Sequence, residues 1–227
     1  METYKALNAE QLKDFEALSE VAKKELLASS ESIIIPKGTL LFEENEPLTK
    51  LYSIEKGACK FSKVDSSGQE HILRFLGAGE VMGKRAVWTQ EGAKVSATAL
   101  TETQLCCFDK DAILKHLEKN PKFCRDFLDA LVEDVNINEH IRMIFCIHKG
   151  IKYRLAQLLL YLLDKFGADE KGKLRVRLKR EDMAPVLGTS QEYIINLLKS
   201  FKNFGLIDVI KSEIYIQSQA GLIEMTR

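Results

Sequence analysis

The sequence predicts an α+β chain in three parts: a front half of short antiparallel strands, one long helix, and a back half of short helices closed by a strand pair. Three observations predict it. Between Ser32 and Phe108, short β-branched and aromatic runs alternate with turn residues. From Pro121 no glycine or proline interrupts the chain until Gly150. Beyond Arg180, two helical stretches flank a single glycine, Gly188, and two apolar runs follow them.

The first part opens with residues 8–30, where Leu12, Phe15, Leu18 and Leu26 recur at helical spacing. The strand runs are Ile33-Ile34-Ile35, Leu40-Leu41-Phe42, Leu51-Tyr52-Ser53-Ile54, Ala58 to Val64, Ile72 to Leu76, Val95 to Leu100 and Gln104 to Phe108. Turn signals such as Pro36-Lys37-Gly38, Asp65-Ser66-Ser67-Gly68 and Gly77-Ala78-Gly79 separate them. Short strands at this cadence predict an antiparallel sandwich or barrel.

Asp109 or Asp111 can cap a short helix over Ala112 to Glu118. Pro121 then sits well at a first helical position, where its missing N–H costs nothing. The helix it opens runs up to about 28 residues, roughly 40 Å. Its apolar positions include Phe123, Phe127, Leu131, Ile141 and Phe145, which predict a seam along a partner helix; burial against its own sheet is the alternative.

Tyr153 to Leu163 reads as a helix buried on most sides, and Leu174 to Leu178 alternates like a short strand. Arg180 to Leu187 is a short helix, with Pro185 inside it predicting a late start or a kink. Gly188 supplies a tight turn. Thr189-Ser190-Gln191-Glu192 fits a capping box that opens a second helix, whose inward face is Ile194, Leu197, Leu198 and Phe201. Gly205 ends it, and Leu206 to Gln217 reads as a two-stranded wing. This is a winged helix-turn-helix, a module that lays its second helix in a major groove.

Charge agrees with a polyanion partner for the back half. The chain of 227 residues is neutral overall, with 33 basic and 33 acidic side chains. Residues 1–145 hold 19 Lys/Arg against 24 Asp/Glu, and residues 146–227 hold 14 against 9. The halves therefore carry −5 and +5, from 19 less 24 and 14 less 9. The opening Met1-Glu2-Thr3-Tyr4-Lys5 lacks the basic and apolar regions of a signal peptide, and no apolar run approaches the roughly 20 residues of a membrane span. Five cysteines, an odd number without a C-x-x-C pair, predict reduced thiols and a cytoplasmic protein.

With these motifs in order, the chain resembles the Crp/Fnr family, the cyclic-AMP-receptor-like transcription regulators, over nearly everything from about residue 30. The front half carries Leu51 to Gly57, Gly79-Glu80-Val81-Met82-Gly83 and Val95-Ser96-Ala97-Thr98-Ala99. The back half carries Arg154-Leu155-Ala156, Glu181-Asp182-Met183-Ala184 and Gly188-Thr189-Ser190. The resemblance implies a cyclic-nucleotide-binding-like β-roll (a double-stranded β-helix or jelly roll), a long dimerisation helix and a C-terminal winged helix-turn-helix. The expected division is 1–120 for the sensor domain, 121–149 for dimerisation helix and hinge, and 150–227 for the DNA-binding domain. A homodimer on a near-palindromic duplex follows, with RNA polymerase as a further candidate partner.

Departures from the family pattern shape the expected sites. The recognition helix of the family usually opens Ser-Arg-Glu and carries a second arginine. Here Gln191 and Asn196 stand at those two positions, and Glu192 is kept. Gln191, Glu192, Asn196 and Lys199 are the expected base readers; Gln and Asn pair bidentately with adenine, which predicts a half-site shifted towards A·T. Tyr193 and Ile195 are bulkier than the family norm, Ile195 suiting a thymine methyl or a protein contact. Lys179, Arg180, Thr189, Ser190, Lys202 and Lys211 are the expected phosphate contacts.

The resemblance also implies where an effector would sit: Gly83, Lys84, Arg85, Val95 and Ser96. Cyclic-nucleotide binders of the family use Gly-Glu for the ribose and Arg-Ser for the phosphate. Lys84 replaces that glutamate and Val95 that arginine, so cyclic AMP is not expected. The Gly83-Lys84-Arg85 turn suits another anion or simple solvation. Residues 1–50 hold no cysteine, against an iron–sulfur cluster; haem stays open through His71, His116, His140, His148 and the cysteines. No small-molecule effector is identified, and no metal site. An enzyme is not expected, since no phosphate-binding P-loop, H-E-x-x-H or nucleophile elbow occurs. The competing reading is a ligand-binding or protein-interaction module whose helix-turn-helix no longer reads DNA.

Overall fold

The computed structural model describes residues 18–89, 91–144 and 150–226. They fall into two compact units, Met1–Phe61 with Phe75–Ile137 and Ser62–Arg74 with Asn138–Arg227. Residues 8–17 of the expected first helix, and the expected hinge at 145–149 with Phe145, lie outside the described residues.

Eight strands make the front: β1 Glu31–Ile35, β2 Leu40–Phe42, β3 Lys50–Lys56, β4 Ala58–Val64, β5 Glu70–Gly77, β6 Val81–Met82, β7 Ser96–Ala99 and β8 Thr103–Asp109. They form two four-stranded sheets, β1-β8-β3-β6 and β2-β7-β4-β5. The sequence runs locate every strand except β6, which is two residues long and gives no period to read.

Period two along β8 divides its side chains between two cores. Leu105 and Cys107 point into the interior shared by both sheets, with Ile35, Phe42, Ile54, Cys59, Leu76, Met82 and Ala97. Cys106 and Phe108 point the other way, onto helices. There α1 (Glu20–Ala28) supplies Leu26, α2 (Lys110–Lys119) supplies Ile113 and Leu117, and α3 (Pro121–Arg142) supplies Phe123 and Phe127. Pro121 does open α3, and Asn120 caps it by accepting the Phe123 N–H at 3.1 Å. α3 spans 22 residues, and the chain then turns to π geometry at Met143–Ile144; the rest of the expected stretch, 145–149, lies outside the described residues.

The C-terminal unit contains α4 (Ile151–Phe166), α5 (Arg180–Leu187), α6 (Gln191–Asn203), the hairpin β9 (Ile207–Ile210) and β10 (Glu213–Ile216), and α7 (Gln219–Glu224). Its core includes Leu155, Leu158, Leu159, Leu162, Met183, Leu187, Ile194, Leu198 and Phe201, all buried. The expected strand at Leu174 to Leu178 is corrected. Leu174, Val176 and Leu178 are buried while Arg175 and Arg177 are exposed, but the segment joins its neighbours only through isolated bridges at Lys173 and Leu174. Alternation reported burial correctly, without a ladder to go with it.

Candidate nucleic-acid interface

The helix-turn-helix begins at Lys179, whose N–H is accepted by the Asp182 carboxylate at 3.2 Å. Pro185 neither delays nor breaks α5, which is continuous from Arg180 to Leu187. Proline forfeits one bond, to the carbonyl of Glu181. Glu181 lies on the exposed side, and the helix ends two residues after Pro185, so the forfeited bond is in the last turns of a short helix. Gly188 then adopts φ 60°, ψ 47° and returns its N–H to Ala184. Thr189 donates to the same carbonyl at 3.1 Å.

The cap of α6 is Ser190, not Thr189. The Ser190 hydroxyl accepts the Tyr193 N–H at 3.2 Å. The expected box was one residue out of register, because Thr189 is spent closing the turn. Beneath the helix, Ile194, Leu197, Leu198 and Phe201 are buried. Its outer surface carries Gln191, Glu192, Asn196 and Lys199, all exposed. Tyr193 and Ile195 join them at 47% and 49% exposure, too open for core residues. One face therefore anchors the helix and the opposite face offers amide, carboxylate, ammonium and apolar groups outward.

The basic residues are less uniform than their sequence suggests. Lys202 pairs with Asp208 at 2.6 Å, and this neighbour with the Val209 N–H holds the Asp208 carboxyl below its usual range. Lys179 pairs with Glu181 at 2.6 Å. Arg180 donates to the Ser212 carbonyl at 3.1 Å. All three were expected as phosphate contacts, and all three have partners inside the unit. Lys211 occupies the turn between β9 and β10. Nothing local in the residues announces the Lys202–Asp208 pair. Lys152, another candidate for phosphate by its charge, places its ammonium 5.0 Å from the ring of the exposed Phe204.

In the N-terminal unit, Gly83 at φ 88° starts a 3-10 turn, Lys84–Val87. The expectation of a solvent-facing basic turn fails at Lys84. Its side chain is 7% exposed and pairs with Asp134 of α3 at 2.9 Å. Arg85 alone of the two cations is exposed. Val95 and Ser96 are half-buried, and the Ser96 hydroxyl accepts the Glu44 N–H at 3.0 Å. A cleft of about 840 Å³ in this unit, lined by Ala22, Leu48, Lys110, Lys115 and His116, includes none of the five expected pocket residues.

The apolar residues of α3 need redistribution. Phe123 and Phe127 are fully buried, and Leu131 packs against the same cluster, so they belong to the core of their own unit and are not the free seam. Ile141 is buried as well. The exposed apolar line is Leu128, Val132 and Val135, at 44%, 59% and 53% exposure. Both faces of the helix are apolar, so period alone could not assign the partners.

Among the described residues no three His, Cys, Asp or Glu side chains gather as a metal site. His71 is tied to Asp65 at 2.7 Å, while His116 and His140 lie on α2 and α3. His148 and Cys146 lie outside the described residues. Cys59, Cys106 and Cys107 are buried free thiols, and Cys124 is half-buried. Among the described residues no helix is long and apolar enough to cross a membrane.

Comparison with known proteins now bears on both units. Residues 33–120 match the cyclic nucleotide-binding domain model, and residues 153–225 match the Crp-like helix-turn-helix domain. A CRP-like cAMP-activated global transcriptional regulator of Mycobacterium tuberculosis is 26% identical over 215 residues, 94% of this chain and 96% of its own. An anaerobic regulatory protein of Haemophilus influenzae is 29% identical over 195 residues, covering 85% and 75%. Among solved structures, FixK2 from Bradyrhizobium japonicum has the same fold, with a TM-score of 0.77 at 18% identity over 87% of this chain and 98% of that one.

Proposed function

The chain belongs to the Crp/Fnr family of transcription regulators, and we propose that it acts as a homodimer on a near-palindromic operator without control by cyclic AMP. One observation carries the reading: α6 buries one face completely and leaves Gln191, Glu192, Asn196 and Lys199 in a continuous exposed array. In a major groove the amides of Gln191 and Asn196 suit adenine N6 and N7, Glu192 suits cytosine N4, and Ile195 suits a thymine methyl. Thr189, Ser190 and Lys211 flank that array as phosphate contacts; Lys179 and Lys202 join them by exchanging an exposed acidic partner for phosphate. Leu128, Val132 and Val135 of α3 form the seam with the second copy, and the two half-sites of a near-palindrome repeat about 34 Å apart along the duplex.

The residues present do not fit a cyclic nucleotide. An ammonium at Lys84, already bound to Asp134, offers no acceptor for a ribose hydroxyl, and Val95 offers no charge for a cyclic phosphate. The Mycobacterium tuberculosis relative is named as cAMP-activated, and the function proposed here departs from it in that respect. The cytoplasm suits such a regulator.

In vitro site selection with the purified protein tests the reading. A palindrome richer in A·T is expected, with Asn196→Arg moving the preference towards guanine. An unchanged preference, or an affinity with no dependence on salt, would sink it and favour the module that no longer reads DNA.

A further inference from the structure

The hairpin of the C-terminal unit turns through two residues only, since Ile210 pairs with Glu213. Both residues between them, Lys211 and Ser212, have positive φ, 48° and 69°. A turn with two left-handed residues matches the twist of a hairpin, and is normally built from Asn-Gly or Gly-Gly. Lysine and serine carry a β-carbon that disfavours this region. Both are also exposed, so no packing of their own holds them there.

What holds them comes from 32 and 34 residues earlier. The Arg180 Nη1 donates to the Ser212 carbonyl at 3.1 Å, and the Arg177 Nη2 reaches the Lys211 carbonyl at 3.5 Å. Arg180 is the first residue of α5, so the helix anchors the backbone from which its guanidinium reaches. Arg177 sits between buried Val176 and Leu178. Behind the turn, Lys173 pairs with Glu213 at 2.9 Å and bridges to Tyr215, which fixes β10 from its other side.

We propose that Arg180, assisted by Arg177, is a positioning residue that clamps the wing turn and so presents the Lys211 ammonium to DNA. Arg180 thereby acts on DNA through the wing, and its guanidinium is not itself a phosphate contact. The DNA part rests on the function proposed above; the clamp does not, and it is testable without DNA.

The test compares Arg180→Met with the same change in a Ser212→Gly chain, whose glycine accepts positive φ unaided. Without DNA, Arg180→Met should speed hydrogen exchange of the β9 and β10 amides about tenfold, the scale of one lost charge-assisted bond. Ser212→Gly should restore most of that protection. On a labelled random-sequence duplex, Arg180→Met should weaken binding about tenfold in the parent and under about threefold with Ser212→Gly, with the salt slope unchanged. Unaltered exchange would overturn the clamp. An equal loss in both chains, with a salt slope shallower by about one, would identify Arg180 as a phosphate contact instead. Absence of any DNA binding, with exchange responding as expected, would overturn the proposed function and leave the clamp standing.

Discussion

Replacing Val132 and Val135 together by aspartate should separate the two faces of α3. Each valine is a little over half exposed in the single chain, at 59% and 53%. Burying a whole valine is worth roughly 1.5–3 kcal/mol, so the exposed half of each offers about 1 kcal/mol to a partner helix. A twofold seam uses four such halves, about 4 kcal/mol, or close to three decades in the dimer dissociation constant. Aspartates in their place add desolvation and mutual repulsion, so three decades is a lower figure. Phe127→Ala, one residue from Leu128 on the same helix, should behave in the opposite way. Phe127 is fully buried beside Phe123, and truncating such a residue costs about 3–5 kcal/mol of folding stability. Sedimentation equilibrium reads the first effect and denaturant melts read the second. A Val132→Asp/Val135→Asp protein that stays dimeric at micromolar concentration would refute the assignment of the seam. So would a Phe127→Ala protein that dissociates while its melt is unchanged.

Lys84→Met should destabilise the N-terminal unit by about 2 kcal/mol, less than the roughly 3–5 of a fully buried pair because Asp134 still reaches water. Adding Asp134→Leu should recover much of that loss, and melts in which the two changes simply sum would exclude coupling between them. Burial pushes the thiols of Cys59 and Cys106 up to about 11 and that of Cys107 up to about 12, against a usual 9.0. Native protein at pH 8 should therefore leave these three unmodified by a thiol reagent that labels them in denaturant. The unfolded thiols ionise first, so stability from these groups is complete below about pH 9 and falls as pH rises above it; a flat urea midpoint between pH 9 and 10.5 would contradict this.

Much of this architecture is legible in the residues because it rests on local periods. Apolar runs bounded by turn residues found seven of the eight front strands, and helical spacing found the four buried positions of α6. What escaped is decided at a distance. Lys84 reads as one half of a basic turn until the fold brings Asp134 to it from 50 positions away. Arg180 reads as a surface charge until Ser212 arrives 32 residues later. On α3, Phe127 and Leu128 are adjacent apolar residues, and only the presence of Leu51, Cys106 and Phe108 beneath one of them tells which side is already taken. At Thr189 two hydroxyl residues in succession offered two caps, and the closing of the Gly188 turn chose Ser190.

Neighbouring side chains of β8 belong to opposite interiors: Cys107 to the roll, Cys106 to the layer of helices. The strand is thus a party wall. Whatever crowds or loosens one room leans on the other, since a close-packed interior transmits displacement instead of absorbing it. The floor under Phe123 and Phe127 is the back of that same wall, so a side chain enlarged inside the roll at Leu105 or Cys107 presses on the footing of α3 as well.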